Sequence, residues 1–202
     1  MFDINMPYKA VVTREQFLFY EMRTTAKLLL KSENEEYVIK KIVDDNLFQY
    51  PTERMINNLA GVCVKRLRAL DDNNMIEIIA NGPSESAKQV CLYSMMICYK
   101  LIWEYMTTVI ADKYRNKDFG YSKIEINSFF TRLQEQNDDV ATWTEKTINK
   151  LKQVITKILV DNGYLDNTKA EKLNPVLIDF ELKNYLLERK DIKALAAFNC
   201  FE

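Results

Sequence analysis

Histidine is absent from all 202 residues. That absence removes the usual general base, the usual nucleophilic triad and most zinc sites. Glycine and proline number only four each. The glycines stand alone at positions 61, 82, 120 and 163, so neither a P-loop nor a GxGxxG turn can be built. Scarce helix breakers suit a helical protein with short connections. The four cysteines, Cys63, Cys91, Cys98 and Cys200, form no CxxC pair. Three fall within helical apolar patterns, where free cysteine serves as small core filler, and the expectation is a reduced, cytoplasmic chain. "MFDINMPYKAVV" lacks the basic start and apolar run of a signal peptide. No excess of one charge exists either: 28 basic against 29 acidic residues leave a net −1. Any contact with nucleic acid must then come from local patches.

What is present in quantity is apolar surface, 48% of the chain. Its most apolar stretch is "CLYSMMICYKLIWEYMTTVIA", Cys91 to Ala111, about as long as the roughly 20 residues that span a bilayer as helix. Lys100 and Glu104 sit in its middle, and each charge there costs roughly 2.5–3.5 kcal/mol on the insertion scale. At about 100° per residue, Ser94, Lys100, Glu104, Thr107, Thr108 and Asp112 share one sector of an otherwise apolar cylinder. That pattern predicts the central helix of a soluble core, starting at Gly82-Pro83-Ser84 and running to about Lys113, and not a membrane span.

Periodicity and caps place the other helices. They are expected over about Arg14–Lys31 with Thr13 as N-cap, Glu35–Asp45, Thr52–Leu70 and Asn73–Ala80. Ser122-x-x-Glu125 has the form of a capping box opening Lys123–Gln136. Thr144–Asn162, Asp179–Arg189 and Ile192–Phe198 follow, and "DNTKAEKLNPVLI" is read as a small hairpin. A boundary between two lobes falls near residues 115–121, giving an N-terminal helical lobe, 1–117, and a C-terminal winged-helix-like lobe, 118–202.

Two helices carry a pattern with chemistry in it. Arg54, Asn58, Gly61, Lys65 and Arg68 form one continuous face, mostly opposite Met55, Leu59, Val62, Cys63 and Leu67. Lys146, Lys150, Gln153 and Lys157 repeat the spacing opposite Ile148, Leu151, Ile155, Ile158 and Leu159, with Thr147 beside them. Lys and Arg at such spacing neutralise phosphates, while Asn58, Thr147 and Gln153 are candidates for sugar or base contacts. The plainer alternative is the solvated face of a surface helix. Catalytic signals are thin. "DFELK" (Asp179, Glu181, Lys183) resembles the acidic core of metal-dependent nucleases, but that core needs a strand and this segment reads as helix. No catalytic, metal or cofactor site is expected.

"EEYVIKKIVDDNLFQYPTERMINNLAGVCVKRLRAL", the aromatic- and Met-rich spine, "INSFFTRL" and "KLKQVITKILVDNGYL" resemble, in that order, the BrxA family of bacterial and archaeal BREX phage-exclusion systems. The likeness spans roughly residues 12 to 190. It implies a small, helical, non-enzymatic DNA-binding component of an antiviral defence system, with a methyltransferase and an ATPase among its partners. Members of the family also carry an inner-membrane label, against which the charged centre of the spine argues. The resemblance fixes no site residue. The combined expectation is an all-α, two-lobed protein with helix–turn–helix-like elements that grips double-stranded DNA through its phosphates. Two alternatives stand beside it: a protein-interaction scaffold whose stripes are only soluble surface, and an RNA-binding protein.

Overall fold

The computed structural model describes residues 2–201 and is all-α. Among those residues no strand forms, and the one bridge is antiparallel, between Gly120 and Lys172. The chain divides into two compact units. One is the continuous segment Phe17–Cys98. The other joins the chain up to Gln16 with everything from Tyr99 onward. The 117/118 boundary suggested by composition falls inside this discontinuous unit.

The continuous unit holds five helices: α1 Phe19–Leu29, α2 Glu35–Asp44, α3 Glu53–Leu70, α4 Asn73–Asn81 and α5 Ser84–Cys98. Side-chain oxygens that accept from first-turn amides fix three of the starts: Asn34 for α2, Thr52 for α3 and Asp72 for α4. Val38, Ile42, Ile56, Leu59, Cys63 and Leu67 are buried together with the whole length of α5 from Val90 to Cys98. Polar groups inside are partnered. Arg66, 1% exposed, donates to the Phe17 carbonyl at 3.3 Å. Arg23 donates to the Ala80 and Gly82 carbonyls at the end of α4.

The discontinuous unit begins with a 3-10 turn, Ala10–Thr13, that packs on a later helix, Glu145–Asp161. After Tyr99 come α6 Lys100–Glu104, a π-helical segment Tyr105–Ile110 and α7 Ala111–Arg115. Then follow α8 Lys123–Gln136, α9 Asp138–Ala141, α10 Glu145–Asp161, α11 Phe180–Glu188 and α12 Ile192–Ala197. The capping box at Ser122 is formed as its sequence specifies: Ser122 Oγ accepts from Ile124 N at 3.1 Å, and Glu125 accepts from Ser122 N at 2.6 Å. Tyr105, Phe129 and Phe130 interlock edge to face at the core.

Three expectations are corrected. The first helix starts at Phe19, not Arg14, because Leu18 takes a left-handed conformation (φ 57°) and Thr13 closes the 3-10 turn, its hydroxyl donating to Ala10 O at 2.8 Å. The apolar spine is not one helix. Tyr99 is extended (φ −136°, ψ 109°), so α5 ends in one unit and α6 begins the other. Past it, Thr107 and Thr108 donate back to the Trp103 and Glu104 carbonyls, a competition with the α-ladder that accompanies the π-widening. No hairpin forms after α10. Residues 171–173 pair instead with 119–121, through Tyr121 N to Glu171 O at 3.0 Å and Leu173 N to Phe119 O at 2.7 Å. Among the described residues no helix is long and apolar enough to cross a membrane.

Candidate nucleic-acid interface

Helix α10 is built to present one face. Ile148, Leu151, Val154, Ile155, Ile158 and Leu159 are all buried, which fixes its rotation. Thr144 caps its start, accepting from Thr147 N at 3.2 Å. Its end is closed by Gly163 at φ 76°, where Gly163 N bonds Val160 O and Tyr164 N bonds Leu159 O. That pair is a Schellman closure, in which glycine takes the left-handed position without a Cβ penalty. The outward arc that remains carries Lys146, Asn149, Lys150, Gln153 and Lys157, every one exposed. Glu145, Lys146, Asn149, Lys150 and Gln153 line a single shallow recess on it. Thr147 stands beside this set. It is half-buried, and its hydroxyl lies 3.0 Å from that of Thr144 within the cap.

The α3 face is less uniform. Arg54, Asn58 and Lys65 are exposed on it, with Asn57 beside them. Gly61 has open space where a Cβ would stand. Arg68 is already engaged: its Nε lies 2.8 Å from Glu35 Oε1, and its other arm donates to the Glu33 carbonyl at 3.0 Å. The guanidinium thus ties α3 to the start of α2, and a phosphate would have to compete for it. The spacing of the sequence could place Arg68 on the right face but not reveal this partner, which sits 33 residues upstream.

Two features lie outside the predicted site residues. Asn149 falls three positions after Lys146, and the same spacing rule puts it, exposed, on the outward arc. A cleft of about 790 Å³ in the discontinuous unit draws its walls from four separate segments. They are Phe2 and Ile4, Trp103–Thr108 with Asp112, Arg132–Gln136 on α8, and Lys190–Lys193. Glu104 in its wall accepts from the Tyr8 hydroxyl, and Asp112 pairs with Arg115.

The acidic run at α11 is capping chemistry. Asp179 Oδ1 accepts from Glu181 N and Leu182 N at 3.0 and 3.2 Å. Among the described residues no three His, Cys, Asp or Glu side chains are grouped so as to hold a metal ion. Cys63 and Cys91 are buried, and desolvation pushes both thiols up, Cys63 to about 12.

A family pattern described as BrxA matches residues 6–190. A protein named "BREX protein BrxA" from Bacillus cereus (strain H3081.97) is 36% identical over 165 residues, covering 82% of each chain. A protein of the same name from Paramagnetospirillum magneticum (strain ATCC 700264 / AMB-1) is 22% identical over 184 residues, 91% of this chain and 92% of its own. The crystal structure of an uncharacterized protein from Magnetospirillum magneticum superposes with a TM-score of 0.80 at 21% identity, covering 95% and 97% of the two chains. That last likeness establishes the fold alone.

Proposed function

The chain belongs to the BrxA family, and from that membership we propose that it serves in phage defence as a non-enzymatic DNA-binding component of a BREX system. The observation that carries the DNA reading is α10. Its apolar side is wholly buried, while Lys146, Lys150 and Lys157 project from the opposite arc around Asn149 and Gln153. Cations at that spacing replace the counterions condensed on a duplex, which is where most of the affinity of such proteins arises. The segment α8–α9–α10 supplies helix–turn–helix connectivity, with α10 as the helix presented to the groove. Arg54, Asn58 and Lys65 on α3 form a second, weaker contact face. Arg68 contributes less than its position implies, because Glu35 already neutralises it.

A second reading has support of its own. The cleft between Trp103–Asp112, α8 and Lys190–Lys193 exposes Ile4 and Ile192 beside Arg132, Lys190 and Lys193, which suits docking onto another protein of the defence system. Fluorescence anisotropy with labelled duplex DNA and with RNA of matching sequence, titrated over a salt series, separates the readings. The DNA reading expects micromolar or tighter duplex binding whose logarithmic affinity falls linearly with the logarithm of salt. Tighter binding to RNA transfers the site to that ligand. Binding to neither leaves the docking reading.

A further inference from the structure

We infer that α10 reads bases as well as holding phosphates, with Asn149 and Gln153 as paired readers of an adenine-containing step. The inference rests on the DNA reading above and goes beyond it, since phosphate contacts position a protein without specifying sequence.

Asn149 and Gln153 stand at i and i+4, the spacing that sets two side chains next to each other on a helix surface. Both are exposed, and neither amide has a hydrogen-bond partner among the described residues. A carboxamide offers one acceptor and one donor in a plane. That matches the N6 amino group and N7 of adenine in the major groove, the pairing Asn and Gln make most readily. Position along the helix agrees. Asn149 lies in the second turn of α10, which the Thr144 cap opens, and Gln153 at its middle; the N-terminal residues of a recognition helix are those that meet base edges. Lys146 and Lys150 lie before and between them and Lys157 one turn beyond, so cations bracket the amides where the phosphate rails of a groove would run. The α3 face lacks this arrangement. Its exposed amides, Asn57 and Asn58, are neighbours in sequence and point in different directions.

The test is selection of preferred sites from a random duplex library with wild type, Asn149→Ala and Gln153→Ala, followed by affinities for the selected duplex and a scrambled one at fixed salt. Both positions are solvent-facing in a helix, so alanine leaves the fold intact. Wild type is expected to enrich a motif containing a fixed adenine and to bind it roughly tenfold to a hundredfold tighter than the scrambled duplex, the range of one good bidentate pair. Each substitution should relax the adenine position and narrow the preference for the selected duplex over the scrambled one, while the salt slope, set by the lysines, stays the same. Duplex binding with no enriched motif, or a motif that survives both substitutions, overturns the inference and leaves the DNA reading standing. Failure of wild type to bind any duplex overturns both.

Discussion

Gly61 lies at the middle of an exposed helix face with nothing within 4 Å of the position a Cβ would occupy. A glycine in a helix interior costs about 1 kcal/mol relative to alanine, through backbone entropy alone. Gly61→Ala should therefore raise the unfolding free energy by roughly 0.5–1 kcal/mol in urea titration. A loss of stability would mean that this arc of α3 is packed and not open. Lys113 is a different kind of residue. Its ammonium joins three elements, reaching Asp118 Oδ2 at 3.0 Å, Glu125 Oε1 at 3.1 Å and the Gly120 carbonyl at 2.5 Å. Hydrogen bonding from Lys113 holds Asp118 below its ordinary range. Burial opposes the charge on Glu125, but hydrogen bonds from its own backbone, Lys113 and Ser122 outweigh it and hold that carboxyl low as well. Folded values below unfolded ones mean stability that is present above about pH 4 and lost as pH falls through the depressed values. The melting temperature should drop between pH 6 and pH 3, and by less in Lys113→Met. An equal drop in both proteins would assign the acid sensitivity elsewhere.

At the scale of elements, capped helices were legible and interrupted ones were not. Ser122-x-x-Glu125, Thr52 and Thr144 announce their helices because each side-chain oxygen satisfies a first-turn amide that the backbone leaves open. Nothing comparable marks the left-handed Leu18, the extended Tyr99 or the π-helical turn after Glu104. No side-chain cap hydrogen bond marks any of the three, so no residue type in the sequence announces them. No hairpin follows α10 for a related reason: residues 171–173 find their partner at 119–121, far upstream. The binding faces were readable as faces, since period and polarity fix rotation, but their partners were not. This yields a graded expectation on α3. Lys65→Ala should flatten the salt slope of DNA binding by about 1. Arg68→Ala should change it by less than about 1, because Glu35 already pairs with the guanidinium. Equal effects would show that Arg68 leaves Glu35 when DNA binds.

At the scale of the whole molecule, one unit interrupts the other. The chain up to Gln16 belongs with everything after Tyr99. It is held by the 3-10 turn against α10, by the Tyr8 and Tyr99 hydroxyls on Glu104 and Glu15, and by Phe2 stacked on Trp103 at 4.4 Å. Both tryptophans, Trp103 and Trp143, lie in this unit, so tryptophan fluorescence reports on it selectively. Deleting residues 1–16 should red-shift that emission and lower the midpoint of the fluorescence-detected transition. Unchanged emission and midpoint would show that the N-terminal segment is dispensable to the unit. Trp103→Ala should cost about 3–5 kcal/mol through the cavity it leaves. The central claim concerns α10 and is tested most directly by one comparison: the salt dependence of duplex binding by wild type and by Lys146→Ala/Lys150→Ala. With the double variant shown to be folded by its melting curve, two lost phosphate contacts should flatten the log–log slope by about 2, and to the same extent on unrelated DNA sequences. An unchanged affinity and slope in the folded double variant would contradict the account.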